Sequence, residues 1–330
     1  MRIPLKVAAV AAVMVLLVVV ADQLSPWPSA MLIRYALDTD GKRTNAILAG
    51  RVPAGVAGVL NESYDPGDPD ARLDVFYPAQ AQAAGSALLT IVWVHGGSFL
   101  GGSKDQIASY AKILAGAGYT VAGVDYSLAP ERTYPTPLRQ VNAALAYLVK
   151  NAARLHVDPN RLVLAGDSAG ALISAQLAGI VTSPGYASRI GINAAIEPRQ
   201  LVGVLLYCGT YDMGKAARGE RIGWLVRTAM WSYSGRRDFV NDSKLATLSI
   251  LDYVTAQFPA TFISVGNADP LAPQSRRFAG SLERLGVQVD ALFFPDDYAP
   301  PLPHEYQFRL DLGAAQQALQ QSLQFLAARR

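Results

Sequence analysis

The stretch RLVLAGDSAGALISAQLA, residues 161–178, changes character halfway along. Its first part is a β-rich apolar run, and its second part begins a helical pattern that runs from Ala169 to Ile180. Between them stands Gly166-Asp167-Ser168-Ala169-Gly170, a G-x-S-x-G segment. Between strand and helix, such a segment reads as a sharp turn that lifts a serine nucleophile out of the sheet. The flanking glycines and Ala169 keep bulky side chains away from that crowded turn. The start of the helix adds positive partial charge beside the serine.

Outward from this turn, short β-rich runs recur at 73–77, 88–95, 120–126, 161–167, 201–208, 260–266 and 287–294. Several are continuously apolar, as expected of strands covered on both faces. Helical patterns alternate with them. Thr136-Pro137 is expected to supply an N-cap and a proline in the first turn of one helix. Gln274–Leu285 reads as another helix, and Phe308, Leu312, Ala315, Leu319 and Leu326 share one face of a C-terminal helix. Strand, helix, strand, repeated, predicts a mostly parallel sheet with helices on both faces, an α/β fold. The rhythm lapses between 210 and 256, a span too long for a plain loop. That span reads as a cap-like insertion, with Trp224, Trp231 and Tyr233 as candidates for an acyl pocket or for the cap's own core. Residues 22–72 read as an irregular lead-in and 73–330 as the catalytic domain.

A serine nucleophile needs a base, and the chain has three histidines, His95, His156 and His304. His95 heads the glycine turn His95-Gly96-Gly97, which suits an organising role. His156 precedes Val157-Asp158-Pro159-Asn160 and is expected to be a solvated residue in a surface turn. His304 lies in a loop after the last strand, where a catalytic base should sit. The base needs a carboxylate to hold its tautomer. Asp269, after the strand at 260–266, is the first candidate, with Asp296 and Asp297 as competitors by position. The order Ser168, Asp269, His304 is nucleophile, acid, base. Backbone amides at Gly96, Gly97 and Ala169 are candidates for stabilising an oxyanion, a role in which one lost donor lowers the rate by roughly 10²–10³.

Composition narrows the field. Of 330 residues, 51% are apolar and 17% charged, which excludes a disordered chain. The net charge of +3, without a dense basic run, argues against nucleic acid as a partner. The single cysteine, Cys208, reads as a small buried hydrophobe, and a Cys/His zinc site has almost no raw material. No cofactor or metal is expected. At the N-terminus, Arg2 and Lys6 precede an uncharged run from Val7 to Ala21. Residues 1–21 therefore read as a signal or anchor segment, either cleaved or retained as a transmembrane anchor. Membrane association is expected through residues 5–21, with the body on the extracytoplasmic side, secreted or anchored.

Taken together, the motifs resemble those of the hormone-sensitive-lipase-like branch of the α/β-hydrolase esterases. The resemblance rests on HGGSFLGG at 95–102, DYSLAPE at 125–131, YPTPL at 134–138, GDSAG at 166–170, DPL at 269–271 and HEYQF at 304–308. It runs from about Leu73 to the C-terminus. It implies an α/β-hydrolase fold and hydrolysis of carboxylic esters through an acyl-enzyme on Ser168, with His304 as base and Asp269 as acid. It also implies an oxyanion hole from Gly96, Gly97 and Ala169, and a loop-organising role for Asp125 and Glu131. A peptidase or amidase on the same fold, and a catalytically idle binding protein, are the alternatives.

Overall fold

A computed structural model describes residues 20–213 and 223–330. Among the described residues, eight strands form one sheet: β1 (Val56–Ser63), β2 (Arg72–Pro78), β3 (Leu88–Val94), β4 (Thr120–Val124), β5 (Val157–Asp167), β6 (Leu201–Tyr207), β7 (Thr261–Val265) and β8 (Val289–Phe293). Their spatial order is β1-β2-β4-β3-β5-β6-β7-β8. The first two pairings, β1 with β2 and β2 with β4, are antiparallel, and the rest are parallel. The α/β architecture read from the sequence is therefore present, and β3 and β5, which carry the two glycine motifs, lie side by side at its centre.

Burial explains why those strands were legible. The five residues of β4, like those of β7, are all buried, and β5 is buried from Leu162 onward. Two apolar cores flank the sheet. One includes Val92, Leu164 and Val204 packed beneath α5 (Ala169–Thr182); the other includes Ile91, Val163 and Leu205 beneath α9 (Gly313–Ala327). Alternate residues of one strand thus point to opposite cores, as the pleat requires. Among the described residues, further helices are α1 (Trp27–Ala49), α2 (Ala79–Ala84), α3 (Ala108–Gly116), α4 (Thr136–Lys150), α6 (Pro184–Ile190), α7 (Trp224–Ser234) and α8 (Ala272–Arg284).

Three local expectations change. Residues 22–72 are not irregular, since they hold the 23-residue helix α1 and the edge strand β1. In α4 the cap position is Pro135 rather than Thr136, and no side chain caps the helix. His156 is not solvated. It is buried, its ring lies 4.4 Å from that of Tyr77, and Val157–Asn160 begin β5 instead of forming a surface turn.

The cap-like insertion contains α7 and short 3₁₀ turns over 239–241, 243–248 and 250–252. Its rear half is tied to the body: the Thr247 carbonyl accepts from Gln176 Nε2 and from Tyr186 Oη. Its front half packs on α1, and Trp224 Nε1 donates to Ser29 Oγ at 3.0 Å. The cap is therefore built from two distant stretches of chain. Among the described residues, no helix is long and apolar enough to cross a membrane. The signal or anchor reading of 1–21 falls, apart from Val20 and Ala21, outside the described residues.

The approach of α5 to β3 depends on Gly170. A Cβ there would collide with the backbone carbonyl oxygens of Val94 and His95. Backbone cannot yield as a flexible side chain can, so Gly170→Ala is expected to destabilise the protein by about 3 kcal/mol, at the upper end for overpacking. A lower urea midpoint with an unchanged slope is the reading that checks this.

Candidate active site

β5 ends at Asp167, and Ser168 turns the chain into α5 with φ 52° and ψ −116°. A non-glycine residue in such a conformation is strained and persists only where its surroundings hold it. Here the amide of Ser168 donates to the Tyr207 carbonyl of β6 at 2.9 Å, which fixes the turn. The serine is thereby lifted above the carboxyl end of the parallel strands, where open α/β sheets carry their sites.

His304 arrives in the loop between β8 and α9. Its Nε2 lies 2.9 Å from Ser168 Oγ, and its Nδ1 lies 2.7 Å from Asp269 Oδ2. Asp269 follows β7, is buried, and accepts the Leu271 amide on Oδ1 at 2.7 Å, which orients its other oxygen toward the imidazole. Three residues spread over 137 positions thus form one hydrogen-bonded line. The competitors lie elsewhere: Asp296 is almost fully exposed and pairs with Arg276 at 3.3 Å, and Asp297 is exposed. Burial disfavours the imidazolium of His304. The Cys208 sulfur, the hydrogen bond to Asp269 and the nearby Glu305 outweigh it, and the imidazole pKa stands well above its ordinary value.

The glycine turn follows β3. His95 is buried, stacks on Tyr126 at 4.3 Å, and bonds the Gly96 carbonyl through Nδ1 at 2.8 Å, while Tyr126 Oη donates to the His95 carbonyl. Burial holds its pKa down, so it is a neutral organiser of the turn. Gly97 has φ 107°, and a Cβ there would strike the Gly101 carbonyl. Ser98 and Phe99 continue in the left-handed region at φ 56° and 63°. Asp125 accepts the Lys104 amide at 2.6 Å, and Glu131 takes both ends of the Arg34 guanidinium at 2.7 Å. Arg34 also donates to the carbonyls of Leu100 and Ala129, which fastens α1 to the loop.

One expected oxyanion donor is already engaged. The Gly96 amide donates to Asp167 Oδ2 at 2.8 Å, so it is not free to meet an oxyanion. Gly97 and Ala169 remain of the three. Asp167 also accepts Trp93 Nε1 at 2.8 Å. Burial, with Glu305 nearby, pushes its carboxyl pKa up to about 7. Sequence spacing could not reveal this brace, because 71 positions separate Gly96 from Asp167.

The brace gives a stability prediction. A carboxyl whose folded pKa exceeds its unfolded value binds more protons when folded, so its contribution falls as pH rises from about 4 to about 7. Asp167→Asn removes that dependence, so the gap in urea midpoint between variant and parent is expected to change in the variant's favour across this window. Asp167→Leu strands two buried donors and is expected to destabilise by about 2–5 kcal/mol.

Two further residues, Glu305 and Cys208, lie near His304. Glu305 holds φ 57° and places Oε1 3.7 Å from His304 Nε2. Cys208 is buried as expected, at φ 44°, and burial pushes its thiol pKa up to about 11. Its sulfur, a carboxylate oxygen of Asp269 and a His304 nitrogen lie within 4.8 Å of one another. With the imidazole already bonded to Asp269 and Ser168, this grouping is a hydrogen-bonded Ser-His-Asp line with a thiol behind it. The tryptophans do not surround Ser168. Trp224 and Trp231 line a separate cavity of about 330 Å³ with Asp22, Pro26, Arg227 and Arg237. Tyr233 is buried and stacks on Phe99 at 3.8 Å, which sets α7 beside the glycine turn.

Comparison with known proteins agrees with this architecture. A protein family described as alpha/beta hydrolase fold matches residues 91–298. The chain belongs to that family. Solved structures with the same fold include esterase B from Lactobacillus rhamnosis, at 20% identity and a TM-score of 0.74, covering 91% of this chain and 96% of that one. An esterase of Pyrobaculum calidifontis gives 20% and 0.71, covering 91% and 94%. EstE1, a thermophilic carboxylesterase from a metagenomic library, gives 22% and 0.69, covering 91% and 97%.

Proposed function

We propose that this chain is a serine hydrolase of carboxylic esters. The observation that carries the reading is the unbroken line from Ser168 Oγ to His304 to Asp269, at 2.9 and 2.7 Å, mounted on a strained strand-to-helix turn. His304 Nε2 accepts the Ser168 proton as Oγ attacks the ester carbonyl, and Asp269 stabilises the imidazolium that forms. The tetrahedral oxyanion is held by the amides of Gly97 and Ala169. The next amide of the left-handed turn, Ser98, takes the place of the engaged Gly96. The imidazolium then protonates the departing alkoxide, which leaves an acyl-enzyme on Ser168. Water, giving its proton to His304, releases the acid and restores the serine. The esterases with the same fold support the substrate class. Arg2, Lys6 and the apolar run after them support a body on the extracytoplasmic side.

The test is hydrolysis of p-nitrophenyl esters from acetyl to palmitoyl, with p-nitroanilides alongside. Ester turnover that fades as the acyl chain outgrows its pocket is the expected result. Faster cleavage of anilides would move the reading to an amidase. Failure to hydrolyse any member, with no labelling of Ser168 by an alkyl phosphonate, would make the fold a binding protein.

A further inference from the structure

We propose that the outer face of the two-part cap is a lipid-docking surface, seated on the polar–apolar boundary of a membrane. Ten large hydrophobic side chains are exposed among the described residues. Seven of them, Val20, Leu24, Trp27, Leu32, Tyr35, Trp224 and Leu225, fall on two segments that touch, which makes a concentrated patch instead of scattered exposure. Leu24 is 78% exposed and Trp27 and Trp224 are 44% and 45% exposed, large areas to leave in water. From Leu24 to Tyr35 the only ionisable side chain besides Tyr35 itself is Arg34, and that residue turns inward to Glu131.

The occupant follows from what adjoins the patch. The uncharged run Val7–Ala21 leads directly into it, so a lipid phase that takes up the run lies against Val20, Leu24 and Trp27. Tryptophan and tyrosine favour the headgroup level, where their rings are half in water. Arginines rim the same face. Arg237 lies over the Trp231 ring at 5.3 Å and holds Gln23 through two donors, and Arg227 shares their cavity, where among the described residues Asp22 is the one carboxylate beside the two arginines. Basic side chains at that depth are drawn to anionic headgroups. An apolar run, an aromatic belt and a basic rim in continuity match a bilayer surface better than a second copy of this chain, which would bring like-charged arginines together.

Docking there would set the substrate class, a consequence that rests on the ester-hydrolase reading above. Both cap helices touch the glycine turn, α1 through Arg34 to the Leu100 carbonyl and α7 through Tyr233 against Phe99. An amphiphilic ester held at the docked face therefore lies against the two helices that contact the turn, and the favoured substrates are lipid-soluble esters.

The full chain has four tryptophans, Trp27, Trp93, Trp224 and Trp231, and Trp93 is buried. It would be bound to vesicles of phosphatidylglycerol and phosphatidylcholine in which the phosphatidylcholine carries brominated chains. The expected result is loss of about half of the tryptophan emission, the share of the two rim residues in a membrane interface. That loss should be absent in the Trp27→Phe/Trp224→Phe variant, with iodide in the water unable to reach the rim of the parent. Three results would overturn docking: no binding to vesicles, binding with Trp27 and Trp224 open to iodide, or binding with both shielded from bromine and iodide, which means protein covers them. Hydrolysis of p-nitrophenyl acetate in the same samples separates the two ideas. Hydrolysis without quenching sinks docking alone, and quenching with no p-nitrophenyl ester from acetyl to palmitoyl hydrolysed and no phosphonate label on Ser168 sinks the ester-hydrolase reading alone.

Discussion

Ser168→Ala is expected to lower kcat for p-nitrophenyl ester hydrolysis by about 10⁶-fold, the scale on which a triad loses its nucleophile. The size of the effect follows from the hydrogen-bonded line. Among the described residues Oγ of Ser168 is the hydroxyl bonded to His304 Nε2, at 2.9 Å, and the Cys208 thiol near the imidazole is buried with its pKa pushed up to about 11, which keeps it from taking over the attack. Ser98 lies in the glycine turn, yet its proposed role rests on its amide, and His304 Nε2 is bonded to Ser168 Oγ. The fold should tolerate the change. Alanine keeps the Cβ of serine, and the amide bond from residue 168 to the Tyr207 carbonyl survives. A thermal midpoint within a few degrees of the parent, beside a vanished steady-state rate, is the expected pair of readings. A variant that keeps more than a tenth of the parent rate would remove Ser168 from the mechanism.

The parts of this site that were legible in the sequence are those in which one local stretch carries both a pattern and its meaning. GDSAG stands between an apolar strand and an apolar helix because both are buried on the two sides of a sheet, so composition alone marks the turn. Strands β2 to β7 were legible for the same reason, and β8, exposed or half-buried except at Leu292, was legible only through its valines and phenylalanines. The edge strand β1 was not, since its residues are half-buried or exposed and it includes Gly58, Asn61 and Glu62. Helix α1 was missed because its burial is created by partners far along the chain, among them Trp224, 195 positions from Ser29. His156 was misjudged for an equivalent reason: the ring of Tyr77, on another strand, covers it. Gly96 illustrates the limit for chemistry. Its type and motif suit an oxyanion donor, but which amide is free depends on a side chain from β5 that accepts it. Glycine patterns mark where backbone can approach a substrate, and only the assembled hydrogen bonds say which N–H groups are left to do so.

Asp269→Asn should lower kcat by about 10⁴-fold while leaving the site nearly unmoved, because it reverses the tautomer of the base. The Leu271 amide donates to Oδ1 of Asp269, which requires an acceptor at that position. Asparagine can keep that bond only by placing its oxygen there, so its NH₂ group must face His304 Nδ1. The imidazole then presents a lone pair at Nδ1 and carries its proton on Nε2, the atom that must accept the Ser168 proton. The same change shifts the pH profile. In the parent, the hydrogen bond to Asp269 helps to hold the His304 pKa above its usual value, so the neutral base accumulates and kcat/KM rises along a limb above pH about 6.5. The amide in place of the carboxylate withdraws that support while burial of the imidazole persists. The limb should therefore move to lower pH even as the plateau collapses. Measuring kcat/KM between about pH 5 and 9 in both proteins separates this from simple misfolding, which would lower the plateau without shifting the limb. A fall of less than tenfold with an unmoved limb would mean that another carboxylate orients the base. The nearest is Glu305, whose Oε1 lies 3.7 Å from His304 Nε2, and the Asp269→Asn/Glu305→Gln pair would then show the larger loss.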